Sequence, residues 1–268
     1  MQAESLIDNQ IEARIFYENC PLCESKNLIK SVTGDCSQHN LYNPKIPSKM
    51  QWMYCKDCKH QFINGYLTEE ALDVIFNKTF DYLKVGYKMQ ENRFVSARMI
   101  EKVVPFKSNG VWLDVGFGNG SLLFTAEEYG YEPIGVDLRK ENVNILLGVG
   151  IQAHCKLVQD IEFGKPISVV SMCDVLEHIP YPKEVLISLY SKMDEDGCLL
   201  ISMPNSETMI WKHLTAQQNN PFFGSIEHCH NFSKTRLESL LNECGFNIKR
   251  YGVSERYISC MEIVAQKS

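Results

Sequence analysis

Three sets of side chains in this sequence could do chemistry. The first is a pair of knuckles, Cys20-Pro21-Leu22-Cys23 and Cys55-Lys56-Asp57-Cys58, with 31 residues between them. Each Cys-x-x-Cys can present two thiolates to one ion, and two such knuckles complete a tetrahedral four-sulfur zinc site. Cys20, Cys23, Cys55 and Cys58 are therefore expected to hold one structural Zn2+. A redox pair is the rival use of Cys-x-x-Cys, but two copies in polar surroundings favour metal. Cys36, His39 and His60 lie nearby as spares and are expected at the surface.

The second set is Asp114-Val115-Gly116-Phe117-Gly118-Asn119-Gly120, after the apolar Val111-Trp112-Leu113 and before the helical run Leu122 to Tyr129. Glycines at Gly116, Gly118 and Gly120 let backbone turn sharply and approach a ligand closely. A dinucleotide loop spaces its glycines differently and serves a pyrophosphate. Here the third glycine comes one residue early and an acid precedes the first, which suits a ligand carrying positive charge. Asp137 ends the next strand, 23 residues after Asp114. A carboxylate there can accept both ribose hydroxyls of an adenosine ligand.

From about residue 80 to the end, these residues resemble the class I S-adenosylmethionine (SAM) methyltransferases. The resemblance implies a Rossmann-like α/β fold with a mostly parallel seven-stranded sheet. It also implies SAM as cofactor and S-adenosylhomocysteine (SAH) as product. Asp114, Gly116, Phe117, Gly118, Gly120, Asp137 and Leu138 would then line the cofactor. Leu157-Val158-Gln159-Asp160-Ile161 is similar to the family's adenine site, which implies Asp160 at the exocyclic amine and the Ile161 N–H at a ring nitrogen. Val169 to Pro180 resembles the fourth strand and its following turn, which puts Asp174 under the methionine part.

The third set is His178 and Glu227-His228. Methyl transfer is an in-line displacement, and a hydroxyl or carbon acid acceptor must also lose a proton. Histidine titrates near neutrality, so His178 and His228 are the candidate bases, with Glu227 placed to orient His228. Tyr82 and Tyr87 in the lead-in fit core packing better than a cover over the cofactor.

A closer likeness is to bacterial enzymes with an N-terminal zinc module, among them the C-methyltransferases of deoxysugar biosynthesis, which use positions matching His178 and Glu227-His228 at the sugar. Ser225 stands where those enzymes carry tyrosine, and the chain ends at Ser268 without their large C-terminal domain. O-methylation of a sugar or surface-glycan precursor is therefore favoured over C-methylation. Two other readings are an RNA base methyltransferase with a zinc ribbon and a SAM-binding scaffold without catalysis. The first 65 residues balance seven Lys+Arg with seven Asp+Glu, which speaks against nucleic acid. The complete loop and its acids speak against decay. The oligomeric state is not legible.

These groups need elements to hold them. The chain has 268 residues, 44% of them hydrophobic, and a net charge of −6, enough for a full domain and a small one. The expected division is a zinc module over 1–66 and a methyltransferase domain over 67–268. Met1 to Phe16 lacks an apolar core of signal-peptide length, and no run spans a membrane. With eleven cysteines and no leader, a cytoplasmic protein with reduced thiols is expected. Cys155, Cys173, Cys198, Cys244 and Cys260 read as small buried hydrophobes.

Residues 17–65 look too polar for a core of their own, so metal would supply their stability. From Leu67 to Val104 the apolar spacing is helical. Then strands near 111–116, 132–137, 152–158, 167–173 and 197–203 alternate with helices near 121–129, 139–147 and 182–194. Helix 234–244 stops at Gly245, and 246–253 with 257–264 form a closing antiparallel pair. The four acids fall at strand ends, as one ligand site requires. Met203 to Asn231 reads as an irregular insertion over the methyl group, forming part of the acceptor pocket.

Overall fold

The structure, a computed structural model, describes residues 11–76, 80–257 and 259–268. Part of the leader argument at Met1 to Phe16, part of the helical pattern to Val104 and one residue of the last strand reading lie outside them. The elements begin with β1 (Arg14–Ile15), β2 (Leu28–Asp35), β3 (Lys49–Cys55), β4 (Gln61–Ile63), β5 (Tyr66–Leu67) and α1 (Glu69–Phe76). There follow α2 (Met89–Val103), β6 (Val111–Val115), α3 (Ser121–Glu128), β7 (Glu132–Val136), α4 (Lys140–Gly148), β8 (Gln152–His154) and β9 (Ile167–Cys173). The chain closes with α5 (Pro182–Lys192), β10 (Met193–Pro204), α6 (Met209–Ala216), β11 (His230–Asn231), α7 (Lys234–Glu243), β12 (Phe246–Val253) and β13 (Cys260–Lys267).

Two compact units result. Among the described residues, one comprises 80–176, 182–204, 237–257 and 259–268. Its seven-stranded sheet runs β12-β13-β10-β9-β6-β7-β8, with β13 antiparallel between β10 and β12 and the other pairs parallel. This is the mostly parallel sheet that the alternation predicts, in the Rossmann-like arrangement that the resemblance implies. β6 and β9 are buried at every position, as central parallel strands covered on both faces must be. Trp112, Leu123, Leu146, Val169, Leu200 and Val264 share one core. Proline fits at the first position of α5, where its missing N–H is no loss. Gly245, at φ +89°, stops α7. β6 is flanked by β7 and β9, so the strand order reverses beside it, where open α/β sheets take ligands. β8 is shorter than expected, three residues, and a short 3-10 turn, Val158–Asp160, occupies the end of that segment.

Among the described residues, the other unit gathers 11–76, 177–181 and 205–236. Here the structure departs from the single boundary expected after residue 66. β2, β3 and β4 form an antiparallel sheet whose fourth strand, β11, comes from the insertion, with His230 opposite Phe62 and Asn231 opposite Gln61. Trp211, Phe223, Ile226 and Cys229 join Ile46, Met50, Trp52 and Ile63 in one core. Trp52 Nε1 donates to Phe223 O at 3.0 Å. The stretch 203–231 is thus no irregular overhang but α6, a 3-10 turn at Pro221–Gly224 and β11, packed into this unit. It supplies the apolar surface that residues 17–65 lack. Cys36 and His60, expected at the surface, are buried in it. In the sheet unit Cys155, expected buried, is exposed.

Candidate functional site

The glycine loop leaves β6 at the switch point. Gly116, Gly118 and Gly120 have φ of +69°, +53° and +76°, which side-chain-bearing residues rarely adopt. A Cβ on Gly116 would also meet Val175 Cγ2 at 2.5 Å. Asn119 Oδ1 accepts from Ser121 N, the first residue of α3, at 3.0 Å. Phe117 offers only its backbone to the loop's open side, because its ring packs in the sheet core. Asn142 on α4 braces the loop from behind: its Nδ2 donates to Gly118 O at 3.0 Å and to Leu83 O at 2.8 Å. Gly86 N donates to Asn119 O, so the lead-in is tied to the same loop. Tyr82 in this lead-in is exposed.

Asp114 is buried, and its Oδ1 accepts from Ser171 Oγ at 2.6 Å. Burial pushes its carboxyl up to about 7, against the pull of the Ser171 hydrogen bond and the Arg256 charge. Asp137 is also buried. Its Oδ2 accepts from Gly118 N at 3.1 Å, and its Oδ1 from Arg139 N at 2.8 Å and Arg139 Nη1 at 3.2 Å. The loop and the second acid are thereby one rigid piece. Leu138 is exposed beside it. Asp160 ends the short 3-10 turn with an exposed side chain. Ile161 is buried, and its N–H has only a long bond, 3.4 Å, to Val158 O. Asp174 follows β9 with φ +58°, and its N–H donates to Ser202 O. Arg256, on the turn between β12 and β13, brings Nε to 3.6 Å from Asp174 Oδ2.

Asp114, Asp137, Asp160 and Asp174 thus all stand at or just past the C-terminal ends of parallel strands or in the loops that follow. A sharp glycine loop with no Cβ in the way, a buried acid for ribose and further acids for cationic groups fit adenosine and a cationic methionine tail. Sequence reading missed Asn142, Ser171 and Arg256. None carries a spacing signal, since each works through a partner far away in the chain.

In the other unit the four cysteines converge. Cys20 and Cys58 Sγ are 3.6 Å apart, as are Cys23 and Cys55 Sγ, and all four sulfurs lie within 4.8 Å of one another. Tetrahedral Zn–S bonds of about 2.3 Å would separate sulfurs by about 3.8 Å, so the donors fit zinc. A disulfide, at about 2.05 Å, is excluded. The two knuckles match: Glu24 N donates to Cys20 O and Lys59 N to Cys55 O. Glu24 and Lys59 each take a left-handed φ, 59° and 62°. Holding two non-glycine residues there costs free energy that a shared ion would offset.

The same unit contains His178, Glu227 and His228. Donor atoms of Glu177, His178 and His228 lie within 4.8 Å of one another. The rings of His178 and His228 meet edge to face with centroids 4.7 Å apart. His228 is 8% exposed, and its Nδ1 is buried with no hydrogen-bond partner. Burial, then the neighbouring His178, His39 and His230, hold it well below the usual histidine range, so the ring is neutral at neutral pH. Glu227 does not orient His228. Its carboxylate faces His39 at 3.5 Å, and its backbone oxygen meets His178 Nδ1 at 3.2 Å. His39, expected as a spare surface residue, is therefore part of this cluster. The expectation failed because Glu227 and His228 are neighbours on a turn, closed by His228 N donating to Ser225 O at 3.1 Å, and chain adjacency there does not aim one side chain at the other.

A family model described as a methyltransferase domain matches residues 88–250, more than half of the chain. The ubiquinone biosynthesis O-methyltransferase of Idiomarina loihiensis is 28% identical over 178 residues, which cover 58% of this chain and 73% of that one. Among solved structures, the 1,6-didemethyltoxoflavin-N1-methyltransferase of Burkholderia thailandensis, with SAH bound, shares the fold at TM-score 0.56 and 16% identity. That match covers 80% of this chain and 98% of the other. The SAH-bound magnesium protoporphyrin IX methyltransferase of Synechocystis does so at TM-score 0.52 and 19% identity, over 76% and 90% of the two chains.

Proposed function

This chain belongs to the methyltransferase-domain family and is a SAM-dependent methyltransferase, and we propose that it methylates an oxygen of a small-molecule acceptor, a sugar or surface-glycan precursor, in the cytoplasm. The observation that carries the acceptor chemistry is His228, a buried neutral imidazole with an unbonded Nδ1, set against His178. A hydroxyl acceptor needs such a base; an amine does not. The curated relative is also an O-methyltransferase.

SAM, when bound, supplies a methyl group already activated by its sulfonium. The glycine loop and Asp137 would hold its adenosine, Asp160 and Ile161 its adenine, and Asp114 and Asp174 the charged tail. His228 would take the acceptor proton, and His178 would steady it. His178 lies four residues past Asp174 along the chain. Cys20, Cys23, Cys55 and Cys58 would hold one structural zinc ion.

The test is transfer from methyl-labelled SAM, offered together with a small-molecule extract, an RNA pool and a protein pool. Label is expected in the small-molecule fraction, on oxygen. Label in RNA or protein would sink the acceptor reading, and label on nitrogen would remove the need for a base.

A further inference from the structure

The turn between β12 and β13 places a cation among the cofactor-site acids, and its neighbours explain how. Lys102 Nζ on α2 meets Glu255 at 2.8 Å and Glu262 at 2.5 Å, and Arg98 reaches Glu255 at 3.6 Å. Glu255 is thus tied toward α2. Ser254 N donates to Cys260 O, and Ser254 Oγ accepts from Arg256 N at 3.1 Å, which tightens the turn. Arg256, the next residue after Glu255, is aimed at Asp174. At 3.6 Å its Nε is an ion-pair neighbour of Asp174 Oδ2 but beyond hydrogen-bond distance, and the side chain is 35% exposed. The guanidinium is held in place without being locked to the acid.

Charge counting says what it is there for. Asp174 offers one carboxylate, Asp114 a second once a cationic ligand favours its ionised form, and Arg256 offers one positive group 3.6 Å from Asp174. The methionine tail of SAM carries an ammonium, a sulfonium and a carboxylate. Two acids without Arg256 would suit the cations and repel the carboxylate. A guanidinium matches a carboxylate in geometry as well as charge, through its planar fork. We propose that Arg256 is the anchor of the SAM carboxylate, and so a specificity residue that separates the intact amino-acid tail from tails lacking it. The proposal rests on the cofactor reading given above.

The experiment measures binding of SAM and of decarboxylated SAM, which keeps both cations and lacks only the carboxylate. It uses the full-length chain and its Arg256→Ala and Arg256→Lys variants. Arg256→Ala should weaken SAM by roughly tenfold to a hundredfold, the range for a charged hydrogen-bonded pair. Decarboxylated SAM should bind this variant as well as the parent or better, because a positive charge has been removed. Arg256→Lys should recover part of the SAM affinity. Equal losses for both ligands would overturn the anchor, since a merely structural role would not read the carboxylate. Tighter SAM binding by Arg256→Ala would overturn it too, by showing a competitor for Asp174. A parent chain that binds neither ligand would instead fell the cofactor reading, and the proposal with it.

Discussion

Trp112 and Trp52 are both fully buried tryptophans at the centres of their units, but they are buried by different routes. Around Trp112 the core comes mostly from strands and helices that alternate along the chain, β6 to β10, with α2 and β13 added from the same unit. Around Trp52 the core is completed from the insertion; its ring nitrogen bonds Phe223, 171 residues later. The sheet unit carries enough apolar surface in its own alternating segments. Residues 17–65 do not, and their core is completed by a borrowed segment, beside four converging thiols that could hold a stapling ion. Small units that cannot bury enough area need such help.

The largest expected effect tests whether that second unit is cooperative. Structural zinc contributes about 10–16 kcal/mol of apparent binding free energy in small zinc modules. Metal analysis should find one zinc per chain, and chelation or Cys55→Ser should remove it. Hydrogen exchange should then show residues 11–75 and 205–236 losing protection together, while 111–176 keep theirs. Loss confined to 11–75 would mean that the shared core is not one folding unit.

Next comes His228→Ala. Loss of a general base typically lowers turnover by about 10²–10⁴, and SAM affinity should stay near normal because the histidine belongs to the other unit. Since His228 is held well below the usual histidine range, its neutral form persists as pH falls through 6.5. Any acid limb that it causes should therefore lie below that range. Near-native turnover in both His228→Ala and His178→Ala, on the true acceptor, would remove the base.

Trp211→Ala should destabilise the cysteine unit by about 3–5 kcal/mol, as large aromatic truncations in cores do. Thermal unfolding with two transitions would show only the cysteine unit's transition moving. A shift of both would blur the distinction between the units. Asp137→Ala should weaken SAM by roughly tenfold, from the loss of one or two hydrogen bonds, and calorimetry would read it. Unchanged affinity in the folded variant would dislodge Asp137 from the ribose.

The smallest effect is on pH. In the ligand-free site Asp114 has its carboxyl raised to about 7 by burial, so it is largely protonated below that pH. A cationic ligand favours the ionised form, so binding releases a proton and SAM affinity falls as pH is lowered. The expected loss is about tenfold between pH 8 and pH 6. Calorimetry in buffers of different ionisation enthalpy would detect the released proton, and a flat profile would take Asp114 away from the charged tail.

The legible part of the molecule is the part whose contacts are local in the chain. Val111 to Gly120 announces a strand, a turn only glycine can make, and a helix start. Glu132 to Asp137 and Ile167 to Asp174 repeat the strand-then-acid pattern, and Cys20, Cys23, Cys55 and Cys58 declare a four-sulfur site by spacing alone. The insertion's place is not legible because Trp211, Phe223 and Ile226 lack strict periodicity, and their partners Met50, Trp52 and Ile63 are far away in sequence. Adjacency pairs Glu227 with His228, whereas its carboxylate faces His39.

By itself, then, the sequence determined the alternating α/β order, the glycine loop, the strand-end acids and the cysteine knuckles. Each of these follows from backbone sterics, side-chain periodicity or ligand count over a few residues. Only the tertiary structure decided that residues 205–236 complete the cysteine unit, that His39 reaches Glu227, and that Arg256 turns toward Asp174. Those outcomes depend on which distant surfaces bury one another and which charges remain near them once they have, and no local pattern encodes that.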